Sequence, residues 1–176
     1  MLRIIADSTC DISKEDARKM GIQIVPISVR FGDEEFLDGV EITHEEFYTR
    51  LAECDELPKT SQPSPDAFMK VFNEAVADGD DVLGIFISSD LSGTYQSACL
   101  AALDVEEETG KKLYMVDSRS ASIGTALLIR EAVKLRDAGV NVSDIAAACT
   151  EMSKYIKLTA AVSYTHLRAH ETPEHL

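Results

Sequence analysis

DVLGIFISSDLSGTYQSA, residues 81–98, joins an apolar run, Val82 to Ile87, to five small hydroxyl residues gathered around Gly93. The run reads as a β-strand and the segment from Gly93 onward as a helix, with the hydroxyl cluster at the turn between them. Comparable runs at Leu2–Ala6, Ile22–Val29 and Leu113–Val116, and a weaker one near Leu158–Val162, predict further strands. Helical patterns separate most of them. Ser13 is placed to cap KEDARKM, Thr43 and Glu46 fit a capping box for HEEFYTRLAEC, and Ser64 is followed by Pro65 at a first helical position. More helices are predicted at roughly 93–108, 121–138 and 144–155, with Gly139 closing one and Ser143 capping the next. Strands alternating with helices imply parallel pairing, so the expected fold is α/β, a three-layer α/β/α arrangement around a mainly parallel sheet. VRFGDEEFLDG, residues 29–39, interrupts the alternation and predicts a small hairpin or projecting loop about Gly32–Asp33.

The chain has 176 residues, 45% of them hydrophobic, enough for one domain of about 150 residues with a substantial core. Its 17 basic residues against 31 acidic ones leave a net charge of −14, which repels nucleic-acid phosphates and anionic lipid head groups. Nucleic acid is therefore not an expected partner, and membrane contact would be transient. The acidic DVEEETG stretch (104–110) reads as a solvated helix face. Cys10, Cys54, Cys99 and Cys149 are scattered without a CxxC pair, and the opening MLRIIADST lacks a secretory pattern, so free thiols and a cytoplasmic location are expected. No apolar run approaches the roughly 20 residues that span a bilayer.

Three predicted strands end in polar clusters: DST at 7–9, SSDLSGT at 88–94 and DSRSAS at 117–122. If the strands are parallel, all three clusters meet at one edge of the sheet, where α/β proteins bind ligands and helix N-termini point free N–H groups. Ser92 and Gly93 could there hold a small anion with hydroxyls and free amides, Gly93 permitting close backbone approach. Capping and turn chemistry explain the same residues equally well. A GxxxxGK[ST] loop and a GxGxxG turn are both absent, so a carboxylate or a single phosphate fits better than a nucleotide. KTSQPSP, residues 59–65, is expected as a loop stiffened by Pro58 and Pro63, with Thr60 and Ser61 as a second donor set or as loop chemistry. Catalytic groups are poor: no GxSxG elbow exists, His44 falls in a helix first turn among acids, and Cys10 reads as a buried thiol more readily than a nucleophile. Asp7, Asp11 and Asp117 fix no ligand geometry, and turn roles suffice for them, so neither a metal nor a cofactor is expected.

The last stretch differs from what precedes it. VSYTHLRAHETPEHL, residues 162–176, holds three of the four histidines, loses the apolar periodicity and resembles a translated sequencing adapter. It is expected to be a non-native tail, and the His166/His170 spacing, with His175 beyond, is not taken as a zinc site. Residues 1–161 then form the domain.

In order along the chain, DST, PKTSQPSPDAF, ISSDLSGTYQSA and YMVDSRSASIG together resemble the DegV family of bacterial fatty-acid-binding proteins. TSQPS followed by SSxLSGTYQSA is the most specific part. The resemblance implies the first domain of a two-domain α/β protein that binds a long-chain fatty acid. Hydroxyls hold the carboxylate, and a separate fatty acid kinase subunit converts the bound acid to acyl phosphate. It implies a non-catalytic carrier. Carried over by motif, Thr60 and Ser92 are the carboxylate contacts, with Ser61 and Gly93 as possible additional ones. The family's second domain should follow where the tail begins, so a weak or absent lipid affinity is expected of this chain alone. A small-molecule phosphotransfer enzyme or a phosphate-binding domain is the alternative reading.

Overall fold

The computed structural model describes residues 1–159. In chain order the first elements are β1 (Leu2–Asp7), α1 (Lys14–Met20), β2 (Ile22–Val25), β3 (Ser28–Phe31), β4 (Glu34–Leu37), α2 (His44–Glu53) and β5 (Lys59–Ser61). They are followed by α3 (Pro65–Ala77), β6 (Asp81–Phe86), α4 (Thr94–Thr109), β7 (Tyr114–Asp117), α5 (Ile123–Asp137) and α6 (Val142–Ser153). A parallel sheet of four strands runs in the order β2-β1-β6-β7.

Side chains alternate across each strand, and this divides the core in two. Ile4, Ala6, Leu83, Ile85 and Val116 meet Ala17, Leu128, Ile129, Ala132 and Ile145 from α1, α5 and α6. On the other face, Ile5, Val82 and Phe86 meet Phe68, Phe72 and Ala75 of α3 and Ala98, Ala101 and Val105 of α4. The architecture is thus three-layer α/β/α around a parallel sheet. No helix among the described residues is long and apolar enough to cross a membrane.

Three helix starts follow the predicted chemistry. Ser13 and Ser64 accept from the N–H groups of Asp16 and Ala67, and Thr43 with Glu46 forms the reciprocal capping box. The start of α6 differs. Asn141, extended at φ −71°, accepts the Asp144 N–H at 3.0 Å, and Ser143 only donates its hydroxyl to the same Asn141 oxygen at 2.7 Å. Gly139, at φ +80°, closes α5 by donating its N–H to the Arg136 carbonyl.

Two expectations between residues 22 and 61 are corrected. Ile22–Val29 is two strands rather than one: β2 stops before Pro26, which has no N–H to give, and β3 joins a separate antiparallel sheet of order β4-β3-β5. The expected hairpin is present as β3 and β4, turning at Gly32, where φ is +58°. KTSQPSP is not wholly loop. Lys59–Ser61 forms an edge strand that pairs Thr60 with Val29 and Ser61 with Ser28. Val29, Phe31 and Ile42 give this sheet a small core of its own against Phe47 and Leu51 of α2. Leu158 and Thr159 have irregular backbone, while the rest of the expected strand near Leu158–Val162 and the 162–176 tail lie outside the described residues.

Candidate functional site

Parallel pairing brings the carboxyl ends of β1, β6 and β7 side by side, and hydrogen bonds tie their three polar turns together. Asp7 Oδ2 accepts the Ile87 N–H at 2.8 Å, Thr9 O accepts the Ser122 N–H at 2.9 Å and Ser120 O accepts the Ser88 N–H at 2.8 Å. Asp117 accepts the N–H of Ser89 at 3.2 Å, its hydroxyl at 2.5 Å and the Arg119 N–H at 2.9 Å. The DSRSAS turn therefore braces the edge through Asp117 and Ser120. Among the described residues, the three non-glycine residues with positive φ, Asp11, Arg119 and Ser122, all sit in these turns, so backbone strain is concentrated here.

Beside the first two turns opens a cleft of about 520 Å³. It is lined by Thr60, Ser61 and Gln62, by Leu91, Ser92 and Gly93, and by Thr9, Ile27 and Ile87. All four residues named from sequence, Thr60, Ser61, Ser92 and Gly93, meet in it, the first two from β5 of the small sheet and the last two from the turn after β6 of the parallel sheet. The bridge is Ser97 on the buried face of α4. Its hydroxyl donates to the Pro63 carbonyl at 2.7 Å and holds the TSQPS segment against SGTYQS. Gln62 lies directly over the Gly93 Cα, where any Cβ would meet its amide. Ser97→Ala leaves that carbonyl buried and unpaired, so it is expected to lower stability by about 1–3 kcal/mol, read by denaturant unfolding.

The free-amide expectation for the SSDLSGT turn is corrected in part. The Leu91 and Ser92 N–H groups both donate to the Ser88 carbonyl, closing the turn on itself. Ser92 Oγ accepts the Thr94 N–H at 3.3 Å and lies 2.9 Å from Thr94 Oγ1. With Thr94 as the donor of that pair, the Ser92 hydrogen is free for the cleft. Gly93, the N-cap of α4, lines the same cleft and supplies no side-chain cap, so the N-terminus of a 16-residue helix lies beside it. Among the described residues, the lining carries no Lys, Arg or His.

Other candidates are placed elsewhere or occupied. Cys10 is fully buried, and burial pushes its thiol up to about 11, which leaves it protonated and unreactive at neutral pH. His44 is exposed on α2, away from the cleft lining. Asp7 and Asp117 have their oxygens engaged by N–H and hydroxyl donors. Sequence reasoning missed Thr9, Gln62 and Ser97 as parts of the site. Thr9 and Gln62 stood inside the DST and TSQPS motifs, which were the available signal.

A family model described as "Uncharacterised protein, DegV family" matches residues 1–169. A DegV domain-containing protein of Clostridium perfringens is 39% identical over 160 residues, which cover 91% of this chain and 56% of that protein. Among solved structures, a fatty-acid-binding DegV family protein from Thermus thermophilus superposes with a TM-score of 0.77 at 33% identity, over 87% of this chain and 53% of that one. A stearic-acid-binding protein from Eubacterium ventriosum gives 0.78 at 36% identity, over 85% and 52%. The chain spans about half the length of the relatives it matches.

Proposed function

Because the chain belongs to the DegV family, we propose that it binds a long-chain fatty acid, with Thr60 and Ser92 donating hydrogen bonds to the carboxylate. The observation that carries this is the cleft itself. Two motif residues that carry hydroxyls, far apart in sequence, line one cleft next to a helix N-terminus and without a basic side chain among the described lining residues. Neutral donors suit a singly charged carboxylate, whereas a phosphate favours an Arg or Lys, of which the described lining residues include none. The solved relatives described as binding fatty acid, stearic acid in one case, support the same ligand class. Ser61 and Gly93 lie beside the two contacts as additional members of the site.

In this reading residues 1–161 are the first domain of a two-domain carrier. The acyl chain contributes affinity by burial, about 0.8 kcal/mol per methylene, against apolar surface that includes Ile27, Ile87 and Leu91. Thr60 and Ser61 are exposed, so a carboxylate held by them stays within reach of another protein. We propose on that basis a non-catalytic presenting role, with a cytoplasmic fatty acid kinase as the separate protein that phosphorylates the bound acid. The test is native mass spectrometry with lipid extraction, on this chain and on a full-length DegV protein carrying the same first 161 residues. A co-purifying fatty acid on the longer form, removed by Thr60→Ala and Ser92→Ala, is the expected result. Neither form taking up lipid would overturn the reading.

A further inference from the structure

Asp7 is fully buried at the carboxyl end of β1 and, among the described residues, takes part in no ion pair. Its Oδ2 accepts the Ile87 N–H at 2.8 Å, and its Oδ1 accepts both the Thr9 N–H at 3.0 Å and the Thr9 hydroxyl. Thr9 and Ile87 line the same cleft as Thr60 and Ser92. A hydroxyl has one hydrogen. While Thr9 gives it to an ionised Asp7, only lone pairs of Thr9 remain for the cleft, and these repel a carboxylate. Among the described residues the lining also has no cation to offset a ligand carboxylate brought near the fully buried Asp7 charge. Protonating Asp7 removes both obstacles. One charge disappears, and the Asp7 O–H donates to Thr9 Oγ, whose own hydrogen then turns toward the ligand.

Resting on the fatty-acid reading above, we infer that Asp7 and Thr9 form a proton-linked donor, so that binding a carboxylate in the cleft takes up one proton from solvent onto Asp7. Thr9 touches the ligand, and Asp7 acts through it as a positioning residue. Burial raises the Asp7 carboxyl from its ordinary value, while its three donors pull the other way. The groups around it do not compete for the proton. Cys10 in the adjoining turn is an uncharged thiol, raised first by burial and then by Asp7 and Asp11. Val25 beside Asp7 on β2 and Ile87 beyond β6 are apolar, and Ser122, just before α5, meets the turn through its backbone N–H.

The test is an NMR titration of the unaltered chain with carboxyl-13C octanoate, a soluble probe whose weak binding the method still detects. With one proton taken up per ligand, the Kd should rise about tenfold per pH unit above the titration of Asp7. The bound carboxyl carbon should keep the shift of an ionised acid. Asp7→Asn, which keeps an acceptor for Ile87 and supplies a permanent donor to Thr9, should flatten the pH dependence and bind more tightly at the alkaline end. A pH-independent Kd, a carbon shift of protonated octanoate, or a slope that survives in Asp7→Asn would overturn the inference. The first two are read on the unaltered chain and stand even if the variant does not fold. Binding without the slope sinks only this inference. No response of the cleft amides at any pH, in this chain and in a full-length DegV protein carrying the same first 161 residues alike, sinks the fatty-acid reading together with it.

Discussion

Phe68→Ala is expected to cost about 3–5 kcal/mol of stability, the range for removing a fully buried aromatic ring from a packed core. Phe68 has no exposed surface, stacks on Phe72 at 5.9 Å between centroids and meets Phe86 edge-on at 5.1 Å. These three rings join α3 to the central strand β6. The substitution removes both ring contacts and leaves a void that neighbouring alanines, Ala75, Ala98 and Ala101, are too small to fill. In a chain of this length the loss corresponds to a fall in Tm on the order of 10 °C, measured by calorimetry. Because α3 begins directly after TSQPS, the same variant should also broaden the NMR signals of Thr60 and Ser61. A Tm within a degree or two of the parent would show that the aromatic cluster does not anchor this layer.

Gly84→Val is expected to destabilise by about 3 kcal/mol through the opposite fault, overpacking. Gly84 sits in the middle of β6 with ordinary backbone, so its requirement is space rather than conformation. A Cβ there would run into the Phe86 ring, two residues along on the same face, and lie 2.7 Å from Met115 Sδ on β7. Met115 can swing aside, but Phe86 is held against Phe68 and cannot. Denaturant unfolding reads the effect, and an unchanged midpoint would mean that the ring has room to move which the packing does not show.

The parallel sheet was legible because its strands are buried on both faces, and a run such as Val82–Ile87 needs no polar alternation to be read. The same continuity misled at Ile22–Val29, where apolar residues on either side of Pro26 belong to different sheets. β5 was invisible for the converse reason: Lys59, Thr60 and Ser61 are all exposed, and only pairing with β3 makes them a strand. Asn141 and Ser143 are both good caps two residues apart, and nothing local to them decides which one starts α6.

At the site, the motif residues Thr60 and Ser92 do meet in one cleft, yet the contacts that bring them there were hidden. Ser97 reaching the Pro63 carbonyl and Gln62 covering Gly93 are tertiary contacts with no periodicity of their own. Thr9 stood in the DST cluster expected at this edge, but with no role of its own. It lines the cleft, with Asp7 behind it.

The most direct test of the central claim, that Thr60 and Ser92 hold a carboxylate, is the octanoate affinity of the Thr60→Val/Ser92→Ala double variant beside the unaltered chain. Each hydrogen bond to a charged group is worth roughly 1.5–3 kcal/mol, so the account expects a loss of about a hundredfold or more, with the fold intact by circular dichroism. An affinity equal to that of the unaltered chain would contradict it and place the carboxylate elsewhere.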